Sequence, residues 1–228
     1  MATFKDQIEA ITGLAAGDGS TAAPTTTEYS TWLTDGAKEV IERLSIGKPE
    51  ALVGFTTSTT VSDANGTPIQ SSLVLSVVRA DGTSASNLEP CSRITSDLRY
   101  RATDTESLNY ASKFNPVYHV LNGTLFVLPE PSNGTTEKAV VTSVPYPTLA
   151  HGHDLIDNFP DQYEYLVVLY ATKKALESIM AYYAGTEEDI ELVQAIQPSL
   201  VTVEQNYNTA FGLMSPPPAQ PEGQQRQG

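Results

Sequence analysis

Residues 159–183 read FPDQYEYLVVLYATKKALESIMAYY, and their pattern decides what must surround them. Placed on a helix, the apolar and aromatic side chains cover most of the circumference instead of one stripe, so this helix needs neighbours on several sides. Pro160 suits the first helical position, where its missing N–H is harmless, and Asp161 and Glu164 fall in the first turn beside the positive helix end. Gly185 reads as the stop. Thr186, Glu187, Glu188 and Asp189 then open a further helix bearing Ile190, Leu192, Val193 and Ile196. The expectation is a helical hairpin whose first arm is enclosed, either by its own chain alone or jointly with adjacent subunits.

Two helices are expected upstream. Phe4, Ile8, Ile11 and Leu14 recur at spacings of three and four, one helical face, and a loop rich in Gly, Ala, Thr and Pro follows over 17–27. The stretch EYSTWLTDGAKEVIERL, residues 28–44, carries Tyr29, Trp32, Leu33, Ala37, Val40, Ile41 and Leu44 on a second face, and Pro49 closes it. Gly36 inside this helix costs about 0.5–1 kcal/mol relative to alanine unless close packing requires it. Near the C-terminus, Pro198 predicts a kink or break between Ile196 and Leu200. SPPPAQPEGQQRQG, residues 215–228, has too little apolar surface to order itself alone.

Between the helical parts the composition changes to Thr, Ser, Val, Gly and Asn. LVGFTTSTTV, LVLSVVR, PVYHVL, TLFVL and KAVVTSV read as strands, separated by turn signals at 63–66, 80–83, 121–124 and 132–135. Asn122-Gly123 between VYHVL and TLFVL is the strongest of these, because both residues accept the positive φ of a type I′ turn. Residues 92–113 fit neither period, and a short helix or irregular excursion is expected there. The fold class that results is α+β. A bundle of about four helices, formed by 1–50 and 151–212, carries a β-rich insertion over 51–150 between its second and third helices, and 213–228 forms an extended Pro/Gln-rich tail.

The 228 residues carry a net charge of -14, with a pI near 4.5, which disfavours gripping phosphates by counterion release. Cys91 is the lone cysteine, so no disulfide closes within the chain. No apolar run reaches membrane-spanning length and the first residues lack a secretory h-region, so a soluble cytosolic chain is expected. Sequence signatures of nucleotide-binding, zinc-hydrolase and serine-hydrolase sites are missing, and neither enzymatic activity nor a cofactor is expected. His151, His153 and Asp154 in HGHD are the best metal candidates, against a simple polar loop. Arg79, Arg93, Arg99 and Arg101 are candidates for a basic patch, against scattered surface charge. Tyr163, Tyr165, Tyr170, Tyr182 and Tyr183 are candidates for interface anchors, against plain core packing.

The order of an N-terminal helix, TEYSTWLTDGAKEVIERL, a Ser/Thr-rich insertion ending in VYHVLNGTLFVLPEP, and FPDQYEYLVVLYATKKALESIMAYY with another helix behind it resembles head-to-tail adaptor (connector) proteins of tailed bacteriophages. The likeness covers residues 1 to about 212 and rests on packing and turn patterns. It implies a helical bundle repeated as a ring, commonly of about twelve subunits, docked beneath the portal in the virion neck and made in the host cytoplasm. Tyr163, Val167, Tyr170, Leu176 and Ile179 would then contribute to contacts between subunits. The tail from Gly212 onward, with Phe211, Leu213, Met214, Pro216, Pro217 and Pro218, would be a strap that orders on the portal. DNA would pass through without specific binding, repelled by acidic side chains lining the channel. The large insertion departs from minimal adaptors and is expected to meet tail, nozzle or fibre proteins. A tail-tube or fibre-attachment component is the alternative structural role, and a virion peptidoglycan hydrolase a more distant one.

Overall fold

The computed structural model describes residues 2–17, 22–187 and 189–214, the side chains at 186–187 and 213–214 excepted. The fold is α+β. Its contacts divide the chain into a helical unit, Met1–Val53 with Pro147–Gly228, and a sheet unit, Gly54–Tyr146. The α-helices are α1 (Phe4–Thr12), α2 (Thr26–Gly47), a short α3 (Arg99–Thr103), α4 (Asp161–Tyr182) and α5 (Ile190–Met214).

Local chemistry sets the starts of the first two helices. Thr3 Oγ1 accepts the Asp6 N–H at 3.2 Å while the Thr3 N–H donates to Asp6 Oδ2 at 3.0 Å, a capping box that satisfies two groups at once. Thr25 and Glu28 do the same for α2, with the Thr25 N–H donating to Glu28 Oε2 at 2.7 Å. Thr25→Ala should therefore destabilise the helical unit by about 1 kcal/mol, read as a lowered Tm by calorimetry, whereas Thr25→Ser should restore most of it. Gly13, at φ 72°, ends α1 before Leu14, so Phe4 and Ile8 are buried while Ile11 remains 42% exposed.

The enclosed helix is α4. It packs against α1, α2 and α5, and ten of its side chains, from Tyr163 to Ile179, are buried. Gly36 is the reason α2 can approach: a Cβ there would lie 2.9 Å from Tyr170 Cδ1, closer than such atoms pack. The helix ends differ from the sequence reading. Pro160 is extended, with ψ 130°, and stands before the first helical residue, Asp161. Gly185 does not stop the chain's winding, which continues as a π-helical turn over Tyr183–Glu187. Asp189, not Thr186, opens α5, its Oδ1 accepting the Leu192 N–H at 3.0 Å. Helix α5 also runs on through Pro198, so of the kink or break expected there the break does not occur. Gln194, whose carbonyl loses its partner there, and Pro198 itself are both exposed, so solvent can serve the freed carbonyl.

The sheet unit has two four-stranded sheets. The first contains β1 (Thr57–Val61), β3 (Ser72–Ala80), β4 (Leu88–Pro90) and β8 (Ala139–Pro145) in the order β1-β8-β3-β4. The second contains β2 (Thr67–Pro68), β5 (Ser92–Arg93), β6 (Val117–Leu121) and β7 (Thr124–Leu128) in the order β2-β7-β6-β5. Val61, Val77, Ala139 and Val141 of the first sheet share an apolar cluster with Leu125 and Val127 of the second. The hairpin at 122–123 forms as expected, with Asn122 at φ 51°, Gly123 at φ 72° and Leu121 opposite Thr124. The excursion at 92–113 contains α3 and a 3₁₀ turn, Ser96–Leu98. The expected strand from Leu52 starts only at Thr57, because Pro49–Phe55 coil into a 3₁₀ helix that buries Leu52 and Phe55.

The turn after β3 is built on Asp81. Its Oδ1 accepts from the Thr83 hydroxyl at 2.6 Å and the Thr83 N–H at 2.8 Å, and its Oδ2 from the Asn87 amide at 3.3 Å. These bonds, the Thr83 hydroxyl first, hold the carboxyl at about 2, below the ordinary 3.8. A folded value below the unfolded one means a contribution that is complete above about pH 4 and lost as the pH falls towards 2. Asp81→Asn should flatten that part of an acid titration followed by tyrosine near-UV circular dichroism.

Candidate assembly surface

The side chains proposed for contacts between subunits are mostly spent inside the chain. Tyr163, Val167, Leu176 and Ile179 are each 2% exposed or less within a single copy. This corrects the sequence reading. A helix apolar all round needs neighbours, and α1, α2 and α5 of the same chain already supply them. Tyr170 is half-buried, its ring 6.3 Å from that of Tyr207 and beneath the Lys174 ammonium at 5.9 Å. Tyr165, 51% exposed, is the tyrosine of α4 most open to solvent.

The helix left uncovered is α5. Over 25 residues, only Val203 and Tyr207 are buried among those described. They face α4, where Lys173 pairs with Glu204 at 2.7 Å, and the second half of α2, where the Tyr207 hydroxyl donates to Glu39 at 3.3 Å. Burial beside the Glu39 carboxylate pushes the Tyr207 phenol well above its ordinary range, so it remains a donor at any working pH. Ile190 and Val201 are 67% and 44% exposed. Eleven residues is three turns of helix, so these two lie along one line, roughly 120° around α5 from the Val203–Tyr207 line. Ile190 and Val201 therefore lie away from the Val203–Tyr207 line, with Gln194 and Gln197 between them on the same side of the helix. The signal was present in the sequence, since Ile190 and Val201 fall outside the stripe that Val203, Tyr207 and Phe211 complete.

Phe211, proposed for portal contact, is half-buried and tied to α2. The Arg43 guanidinium lies 5.2 Å from both the Phe211 and Tyr207 rings and pairs with Glu39 at 2.6 Å. Leu213 and Met214 end α5, their side chains outside the description, and Pro216, Pro217 and Pro218 lie outside the described residues.

The HGHD loop has a structural task. The Phe4 N–H donates to the His153 carbonyl at 2.8 Å and the Lys5 N–H to the His151 carbonyl at 2.9 Å. The loop thus satisfies donors that the first turn of α1 leaves open. Ser30 Oγ accepts the His151 N–H at 3.1 Å and lies 3.3 Å from its Nδ1, tying the loop to α2 as well. Among the described residues no three His, Cys, Asp or Glu side chains converge to hold a metal ion. The basic patch also loses a member: Arg79 is 4% exposed and donates to the carbonyls of Pro129 at 2.8 Å and Ala80 at 2.7 Å. Its charge holds strands together instead of meeting a partner.

Charge is divided unevenly. The helical unit carries -12 and the sheet unit -2. Asp35, Glu42, Glu50, Asp161, Asp189 and Glu191 of the helical unit are exposed. No described helix is long and apolar enough to cross a membrane. No protein-family model matches the chain, and no curated protein matches it significantly.

Proposed function

We propose that this protein is a structural ring component, a head-to-tail adaptor of a tailed bacteriophage, in which helical units of neighbouring copies pack side by side. The observation that carries this reading is the pair of apolar side chains on α5, Ile190 and Val201, which the described residues leave 67% and 44% exposed. A contact from that line to a different surface of the next copy is heterologous, and such contacts close into a ring when their rotation does. The -12 charge of the helical unit suits a channel through which a duplex slides without being held. The sheet unit, nearly neutral, is the part assigned to tail, nozzle or fibre proteins, and the 213–228 segment is assigned to the portal.

Native mass spectrometry of the full chain, alone and mixed with portal rings of the same virus, tests this. About twelve copies on each portal are expected. A chain that ignores the portal and joins purified distal tail instead would move the assignment to a tail component. Truncation after Gly212 should abolish portal loading while lowering stability by no more than about 1 kcal/mol, because the sequence of 213–228 carries little apolar surface to bury. Normal loading of the truncated chain would reject the strap.

A further inference from the structure

A cleft of about 270 Å³ opens in the sheet unit, lined by Asp63, Arg99, Tyr100, His119, Phe126 and Glu130 among others. It lies on the face of β6 and β7 turned away from the core shared by the two sheets. Strand alternation sends Leu125 and Val127 into that core and Phe126 to the other side, where Phe126 sits opposite His119. The His119 ring stacks on Phe126 at 5.4 Å and 17°, is 5% exposed, and its Nδ1 is sealed without a hydrogen-bond partner. A buried ring nitrogen left unpaired is costly, and His119 lines the cleft. Burial, reinforced by Arg99, lowers the His119 pKa, so the imidazole is neutral and offers one donor and one acceptor.

The rest of the cleft defines what the partner looks like. Arg99 lies over one face of the Tyr100 ring at 4.6 Å and donates to its hydroxyl at 2.6 Å, and Tyr100, 68% exposed, offers the other face. Asp63, whose Oδ1 also accepts the Asn65 N–H at 2.9 Å, and Glu130 line the cleft with the single Arg99 cation, a net negative balance that disfavours phosphate and other anions. Carboxylates accept from hydroxyl groups, a guanidinium donates to them, and an aromatic face covers a ring's C–H side. A volume just below the usual range of ligand cavities admits one ring. We propose that this cleft binds a single neutral pyranose sugar residue, with Tyr100 against its apolar face, Asp63 and Glu130 accepting its hydroxyls and Arg99 donating to them. The site stands apart from ring assembly, and neither reading depends on the other.

Saturation-transfer NMR on the full chain, with the methyl glycosides of glucose, galactose, mannose and N-acetylglucosamine as probes, decides the matter. At least one glycoside should show transfer strongest on the C–H protons of one ring face, with a millimolar Kd. Tyr100→Ala should weaken that Kd at least tenfold and Asp63→Asn several-fold; both positions are exposed, so an unchanged Tm is the check that each variant folds. The absence of transfer from all four glycosides at about 10 mM, or transfer unchanged in a folded Tyr100→Ala variant, overturns the site.

Discussion

Ile190→Glu combined with Val201→Glu is expected to leave a folded chain that no longer assembles. Both positions are substantially exposed in the single copy, at 67% and 44%, so a carboxylate at either place remains in water and changes monomer stability by no more than about 0.5 kcal/mol. In a ring the same carboxylates would be buried against a neighbour's apolar surface. An unpaired charge in such a contact costs several kcal/mol, so loading should fall by more than about 100-fold. The measurement is the copy number on portal rings by mass photometry, with helical circular dichroism as the fold control. Acidic neighbours sharpen the effect, because Asp189 and Glu191 flank Ile190 and Glu204 lies one turn beyond Val201. A double variant that folds and still loads in full number would remove α5 from the subunit contact. The buried set Tyr163, Val167, Leu176 and Ile179 makes the complementary case: truncating any of these should damage folding before assembly, since each already fills the chain's own core.

The second large effect is on stability. Gly36→Leu should destabilise the helical unit by about 3 kcal/mol, since a side chain there meets Tyr170 Cδ1 at 2.9 Å and its Cβ and Cγ at 3.2 Å. Tyr170 has little room to retreat. Its ring lies against Tyr207, which is itself buried and bonded to Glu39. Alanine is the informative control, because it gains about 0.5–1 kcal/mol of helix propensity and meets the same clash with a single methyl. A fall in Tm for Gly36→Ala would mean that packing outweighs propensity, and a rise would mean that Tyr170 yields. Thermal unfolding followed at 222 nm distinguishes them, and a wild-type Tm for Gly36→Leu would show that α2 and α4 do not approach as described.

How much of this was legible in advance differs by element. The register of α2 was readable because its apolar residues form one stripe, and Tyr29, Leu33, Ala37, Val40, Ile41 and Leu44 are all buried. The hairpin at 122–123 was readable because two adjacent residues that tolerate positive φ leave the backbone few other choices. Residues 52–55 were misread as strand, since a short apolar run with β-branched neighbours looks the same in a strand and in a 3₁₀ turn capped by buried Leu52 and Phe55. Arg79 looked like surface charge because its burial depends on the carbonyls of Pro129 and Glu130, about fifty positions away along the chain.

The sequence by itself determined the α+β class, the existence and apolar faces of the long helices and the strongest turn, because propensity, capping and periodicity act over a few residues. It also determined that α4 must be surrounded. Who surrounds it was decided only by the tertiary structure: hydrophobic periodicity says that a face is apolar and says nothing of which chain covers it. Once α1, α2 and α5 close around α4, the candidate contact between copies moves to exposed apolar side chains outside that core, Ile190 and Val201 of α5 among them. The same holds for the cleft at His119, whose lining residues span 63 to 130 and meet only because the second sheet and α3 bring them to one face.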